Sequence, residues 1–247
     1  MEVQMSLLQS KRKVIANRGV FAAILGARLS GKSTIAGTLP GRSAMFTAKT
    51  FETGSGSAQK MAKDLGSDLD VFEFSSAKDL VAMAKEAVAE GYENLFIDGA
   101  SGLTEVLYRQ TDIARKIAAN GWDGYALLAD QVEDALLAIK DLTDKDGGVN
   151  VFVTASVEPK YDQAGNVIEL TVESKGRSVI KNLKKLFSVV VTLRPAYDEN
   201  GHVYDAPEMV TKTDGVYAGR IDSMLNQDNP GVLPADLSAL IQLIKGA

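Results

Sequence analysis

The 247 residues include no cysteine and one histidine, His202. The missing cysteines exclude a disulfide scaffold, a thiolate zinc site and a cysteine nucleophile. The lone histidine argues against a histidine-rich metal centre and a Ser-His-Asp triad. It stands in a Glu199-Asn200-Gly201-His202 turn and reads as an exposed turn residue. No run approaches the roughly 20 apolar residues that a membrane span requires. The N-terminus lacks the basic start, apolar core and small-residue cleavage site of a secretory signal. A soluble, cytoplasmic chain with no membrane partner is expected. Positive charge is also short: 27 Lys and Arg against 32 Asp and Glu give −5. That charge argues against a surface that coats nucleic acid or anionic membrane as a whole, and leaves room for a local basic groove.

What is present is a chain with 45% apolar residues, enough for a sizeable core. Residues 1–18 form a polar arm with Lys11, Arg12, Lys13 and Arg18. Short apolar runs at 19–25, 43–48, 70–74, 94–98 and 149–155 read as strands buried on both faces. Segments 32–39, 76–90, 102–118 and 125–143 read as helices, and Gly121-Trp122-Asp123-Gly124 separates the last two. Beyond Lys160 the texture changes. Asp162–Asn166 is the turn of a β-hairpin. A short helix at 176–186, a strand at 187–194, a turn at 198–201 and a terminal helix at 236–244 follow. Strands alternating with helices predict an α/β fold, a mainly parallel sheet flanked by helices with a C-terminal β-hairpin appendage.

Residues 26–33 read Gly26-Ala27-Arg28-Leu29-Ser30-Gly31-Lys32-Ser33. They fit the phosphate-binding pattern of two glycines with four residues between them, followed by Lys and a hydroxyl, between an apolar strand and a helix. The glycines permit a tight turn whose amides face an anion, and the helix start favours negative charge. Lys32 is expected to reach the β- and γ-phosphates, Ser33 to hold magnesium, and Thr34 to lie near the α-phosphate. ATP and magnesium are the implied ligands. The strand Leu95-Phe96-Ile97-Asp98 ends in a carboxylate suited to the magnesium shell. Gly99 follows it, so no acid at that position activates water. Glu52, after the second strand, is the candidate base, with Glu73 as runner-up; each also reads as a solvated loop or strand carboxylate. Thr154 and Ser156 end the strand at 149–155, where a hydroxyl senses the γ-phosphate or merely caps backbone.

Lys175, Arg177, Lys181, Lys184 and Lys185 form a cationic run with no intervening acid. It suits a phosphate backbone, or a neighbouring subunit's nucleotide, or only a solvated helix face. Arg194 and Arg220 are further candidates for a cation offered in trans. Trp122 and Tyr125 read as packing between helices rather than as stacking on a base. Residues 1–247 are read as a single domain: arm 1–18, nucleotide-binding core 19–160, and 161–247 with the hairpin, further strands and the terminal helix.

Gly26–Thr34, Leu39-Pro40, Leu95–Asp98, Gly121-Trp122 with Tyr125, Val151–Ser156 and the basic hairpin region together resemble the small RecA-like P-loop ATPases of bacteriophages, a family that includes single-strand annealing and recombination ATPases. The likeness spans about residues 20–245. It implies a RecA-like core, ATP with magnesium, single-stranded DNA as partner, self-assembly into a homo-oligomer, and the host cytoplasm as location. Two positions depart from the family. The acid that usually ends the second strand is displaced in Met45–Glu52, with Lys49 intervening. Gly99-Ala100 stand where a hydroxyl usually follows Asp98. The leading reading is an ATPase acting on DNA in recombination or replication. The alternatives are a nucleotide-gated assembly module with little turnover, and a small-molecule kinase, which the lack of an arginine-dense lid disfavours.

Overall fold

The structure, a computed structural model, describes residues 18–49, 55–144, 147–173, 185–197, 203–222 and 228–246. Most of the arm, Glu52, Lys175, Arg177, Lys181, Lys184, most of the expected helix at 176–186, the turn at 198–201 and His202 lie outside the described residues.

The elements run in chain order as β1 (Phe21–Gly26), a 3₁₀ turn (Thr34–Thr38), β2 (Arg42–Ala48), α1 (Ser55–Leu65), β3 (Asp68–Phe74), α2 (Ala77–Ala89) and β4 (Asn94–Asp98). They continue with α3 (Ala100–Tyr108), α4 (Thr111–Ala119), α5 (Gly121–Lys140), β5 (Asn150–Tyr161) and β6 (Val167–Val172). The chain closes with β7 (Val189–Tyr197), β8 (Val203–Val210), β9 (Arg220–Ile221), β10 (Val232–Pro234) and α6 (Leu237–Lys245). One sheet takes the order β10-β8-β7-β1-β5-β4-β2-β3. The pairings from β7 to β3 are all parallel, and β8 and β10 add antiparallel strands beyond β7. This is the mostly parallel α/β core of a P-loop NTPase. β6 pairs only with the outer half of β5, forming the hairpin that stands off the sheet.

Strand parity builds two apolar layers. Phe21, Ala23 and Leu25 of β1 join Leu95, Ile97, Val151 and Val153 beneath helices α2 to α5. Val20, Ala22 and Ile24 face the other way with Phe96 and Phe152, under the 3₁₀ turn, α1 and α6. Because both faces are covered, the central strands are apolar throughout, not alternating.

Several expectations are corrected. The helix expected at 32–39 is a single 3₁₀ turn ended by Leu39, whose extended backbone leads into Pro40. The helix expected at 102–118 breaks at Gln110, which is extended and starts α4. Gly121–Gly124 does not separate helices but forms the first turn of α5, where Asn120 accepts from the Trp122 N–H at 3.2 Å. Gly124 is there for contact: a Cβ would lie 2.5 Å from the Ile117 nitrogen of α4. The helix α1 was not anticipated, and β7 lies within the sheet beside β1.

The N-terminal ends of the strands are joined by two buried amides. Asn150 Nδ2 donates to Asn94 Oδ1 at 2.8 Å, and Asn150 Oδ1 accepts from the Val20 N–H at 3.1 Å. Asn94 Nδ2 donates to the Pro40 carbonyl at 2.5 Å and to Ser43 Oγ at 3.1 Å. Asn150→Leu would leave the Val20 N–H and the Asn94 carbonyl buried without partners. It is expected to cost about 2–3 kcal/mol, seen as a lower urea midpoint at unchanged slope.

Candidate functional site

The C-terminal ends of β1, β5, β4 and β2 lie side by side, with β5 between the strand that leads into the glycine-rich loop and the strand that carries Asp98. Asp98 and Thr154 share the parity of Phe96 and Phe152, so both face the layer that holds the 3₁₀ turn. Ser33 precedes that turn and reaches them. Ser33 Oγ donates to Asp98 Oδ2 at 2.6 Å, and Thr154 Oγ1 donates to Asp98 Oδ1 at 2.9 Å. The carboxylate is buried, and these hydrogen bonds offset part of its desolvation. Gly99 permits the arrangement, because a Cβ there would lie 2.6 Å from Thr154 Oγ1.

The loop itself has the shape of an anion cradle. Gly31 has φ +86° and Leu29 φ +63°, a conformation that non-glycine residues rarely adopt; the Leu29 side chain is fully exposed. A Cβ on Gly26 would lie 2.4 Å from Ser30 Oγ. That hydroxyl is buried with no hydrogen-bond partner. Lys32 folds back over the loop, donating to the carbonyls of Gly26 at 3.0 Å and Ala27 at 2.6 Å. Burial pushes its ammonium below the usual lysine range, opposed by Asp98 and Glu173, while Arg28 adds to the downward push. Its hydrogen-bond partners are neutral carbonyls, so the cation can turn to an anionic ligand. The 3₁₀ turn is too short to carry much helix dipole, and the loop amides and Lys32 must supply most of the anion binding.

The donor set suits a nucleotide with magnesium. Among the described residues no three His, Asp or Glu side chains gather into a metal-holding group. A hydroxyl beside one carboxylate suits a hard cation that takes its remaining oxygens from phosphate and water.

The other expected residues are dispersed. Glu73 is exposed on β3, the edge strand, with β2, β4 and β5 between it and β1. Ser156 ends the parallel part of β5 opposite Gly26. Lys185 is exposed. Arg194 donates to Glu208 and Asp214, each at 2.6 Å. Arg220 pairs with Asp222 at 3.0 Å and donates to the Phe187 carbonyl. Both arginines are thus engaged within the chain. Trp122 is 85% exposed, which corrects its reading as a packing residue. Tyr125 does pack, its ring 6.4 Å from that of Tyr108.

One residue at the site was not anticipated. Glu173, just past β6, takes a two-armed contact from Arg28 of the loop, with Nε to Oε2 at 3.2 Å and the second arm shorter. Nothing local in the sequence marks it, since only the return of the hairpin brings it to the loop.

A family model described as an AAA domain matches residues 18–219. No curated protein matches the chain. Among the described residues no helix is long and apolar enough to cross a membrane.

Gly99→Ala is expected to break the Thr154–Asp98 hydrogen bond and to destabilise the fold by about 1–2 kcal/mol. Thr154→Val removes the same bond. The double variant should therefore be markedly less destabilised than the sum of the two, as measured by a urea-denaturation cycle.

Proposed function

The chain belongs to the AAA domain family, whose members have a P-loop ATPase-type core, and on that premise we propose that it is a magnesium-dependent ATPase acting on single-stranded DNA in phage recombination or replication. The observation that carries the ATPase reading is the contact of Ser33 with Asp98, backed by Thr154. It brings the hydroxyl of the phosphate loop and the carboxylate of β4 to one place, although another strand separates β1 from β4.

In this reading the amides of Gly26–Ser33 receive the phosphates and Lys32 leaves its two carbonyls for the β- and γ-phosphate oxygens. Thr34, at the start of the 3₁₀ turn, lies toward the α-phosphate. Magnesium, held through Ser33 and Asp98, supplies charge neutralisation on the phosphates. Thr154 keeps Asp98 oriented and presents a polar group toward the γ-phosphate. Lys32 stabilises the charge that develops as the terminal phosphoryl group is transferred to water. Glu52 stays a proposal from sequence alone.

The DNA reading rests on the cationic run Lys175, Arg177, Lys181, Lys184 and Lys185 in an otherwise acidic chain, and on the resemblance to phage recombination ATPases. The run follows the β5–β6 hairpin, which leaves the sheet at its phosphate end. A homo-oligomer in the host cytoplasm completes the proposal, with a cation of the run facing the next copy's nucleotide. Arg194 and Arg220 suit that part less, since each is held by acids of its own chain.

Purified chain with magnesium is expected to hydrolyse ATP, faster when a single-stranded oligonucleotide is added at low salt. Lys32→Ala should lose nucleotide binding and turnover together. Absence of both stimulation and DNA retention at low salt would refute the DNA claim. A second reading, a nucleotide-gated assembly module, is favoured by the acid displaced from the end of the second strand to Glu52, with Lys49 intervening. It predicts an ATP-dependent change in sedimentation with no phosphate release.

A further inference from the structure

We infer that Glu173 is the carboxylate that accepts the proton of the attacking water during ATP cleavage, an inference that rests on the ATPase reading above. The position after the metal-side carboxylate offers no acid, because Gly99 has no side chain. Asp98 is itself committed, one oxygen to Ser33 and the other to Thr154. Another chain segment must therefore supply the base, and Glu173 takes the part that the sequence alone offered to Glu52.

Glu173 is tied to the site from three directions. Its carboxylate is held by Arg28 of the phosphate loop. Its N–H donates to the Ser156 carbonyl at 2.7 Å, two residues beyond Thr154. Its carbonyl accepts from Ser101 Oγ at 2.9 Å, three residues beyond Asp98. The loop, the end of β5 and the start of α3 are the segments next to the meeting point of Ser33, Thr154 and Asp98. The negative charge of Glu173 is also felt at Lys32, where it works with that of Asp98 against burial. Glu73, by contrast, is three strands removed from β5 along the sheet order, at the far edge.

Arg28 explains why the carboxylate is not spent on the loop permanently. Its side chain is 77% exposed, and its guanidinium engages both Glu173 oxygens. Incoming phosphates compete for the same planar cation. As Arg28 turns to them, a Glu173 oxygen is released to bind water. The water oxygen then bonds to the γ-phosphorus while its proton passes to Glu173. The bond between the γ-phosphorus and the bridging oxygen breaks, and that oxygen keeps the electron pair as ADP departs. Glu173 returns the proton to the released phosphate or to solvent.

The test compares wild type, Lys32→Ala and Glu173→Gln for binding of a fluorescent ATP analogue, for phosphate release, and for the nucleotide recovered from the complex. Glu173→Gln should bind like wild type, release phosphate roughly a hundredfold more slowly, and yield intact ATP from the complex. Turnover within about threefold of wild type would overturn the role of Glu173 and leave the ATPase reading standing. Loss of nucleotide binding in Glu173→Gln would make the residue structural and overturn the role as well. A wild type no faster than Lys32→Ala would overturn the ATPase reading, and with it the role.

Discussion

The two hydrogen bonds accepted by Asp98 hold the phosphate end of the fold together. Adjacent strands are about 4.8 Å apart, so with β5 between them β1 and β4 are separated by about 10 Å. No backbone bond joins those two strands. The link is made by side chains on one face: Ser33 reaches from the loop, Thr154 from the intervening strand, and both end on one buried carboxylate. A charge so placed needs partners, and it draws the loop toward the sheet. Lys32 balances the same charge at longer range.

The opposite end of the sheet is joined in neutral chemistry. Asn94 and Asn150 satisfy each other and the backbone of Val20 and Pro40. The parallel strands thus share amides at their starts and a charged, hydroxyl-rich cluster at their ends. The reactive end keeps a buried hydroxyl without a partner on Ser30, a left-handed Leu29 and a lysine resting on carbonyls.

The central strands and the loop were legible because their signals are local. Five apolar runs and the Gly26–Ser33 octapeptide need no knowledge of what they touch. Asp98 could be singled out for the same reason. The helix α1 was invisible because it buries only Ala58 and Ala62, too little apolar surface to make a stripe. The break between α3 and α4 carries no glycine or proline to mark the extended Gln110. Gly121 and Gly124 misled in the other direction: the second is a contact point between helices, and a contact point looks like a turn in one dimension. Glu173 lies 145 residues from Arg28, and no spacing rule connects the two. The membership of β7 in the sheet was equally hidden, since parallel pairing leaves no hairpin signal.

The order of strands has a consequence for how the protein is made. β1 is bordered by β5 and β7, so Phe21 pairs with Val151 and Ala22 with Val189. During synthesis β1 waits for residues more than a hundred positions downstream before either of its edges is covered. The nucleotide loop that follows it is encoded early but acquires its supports late, when Thr154, then the strand at 189–197 and finally α6 arrive. A chain that ends before β7 therefore leaves one edge of the apolar strand Phe21–Gly26 without its partner.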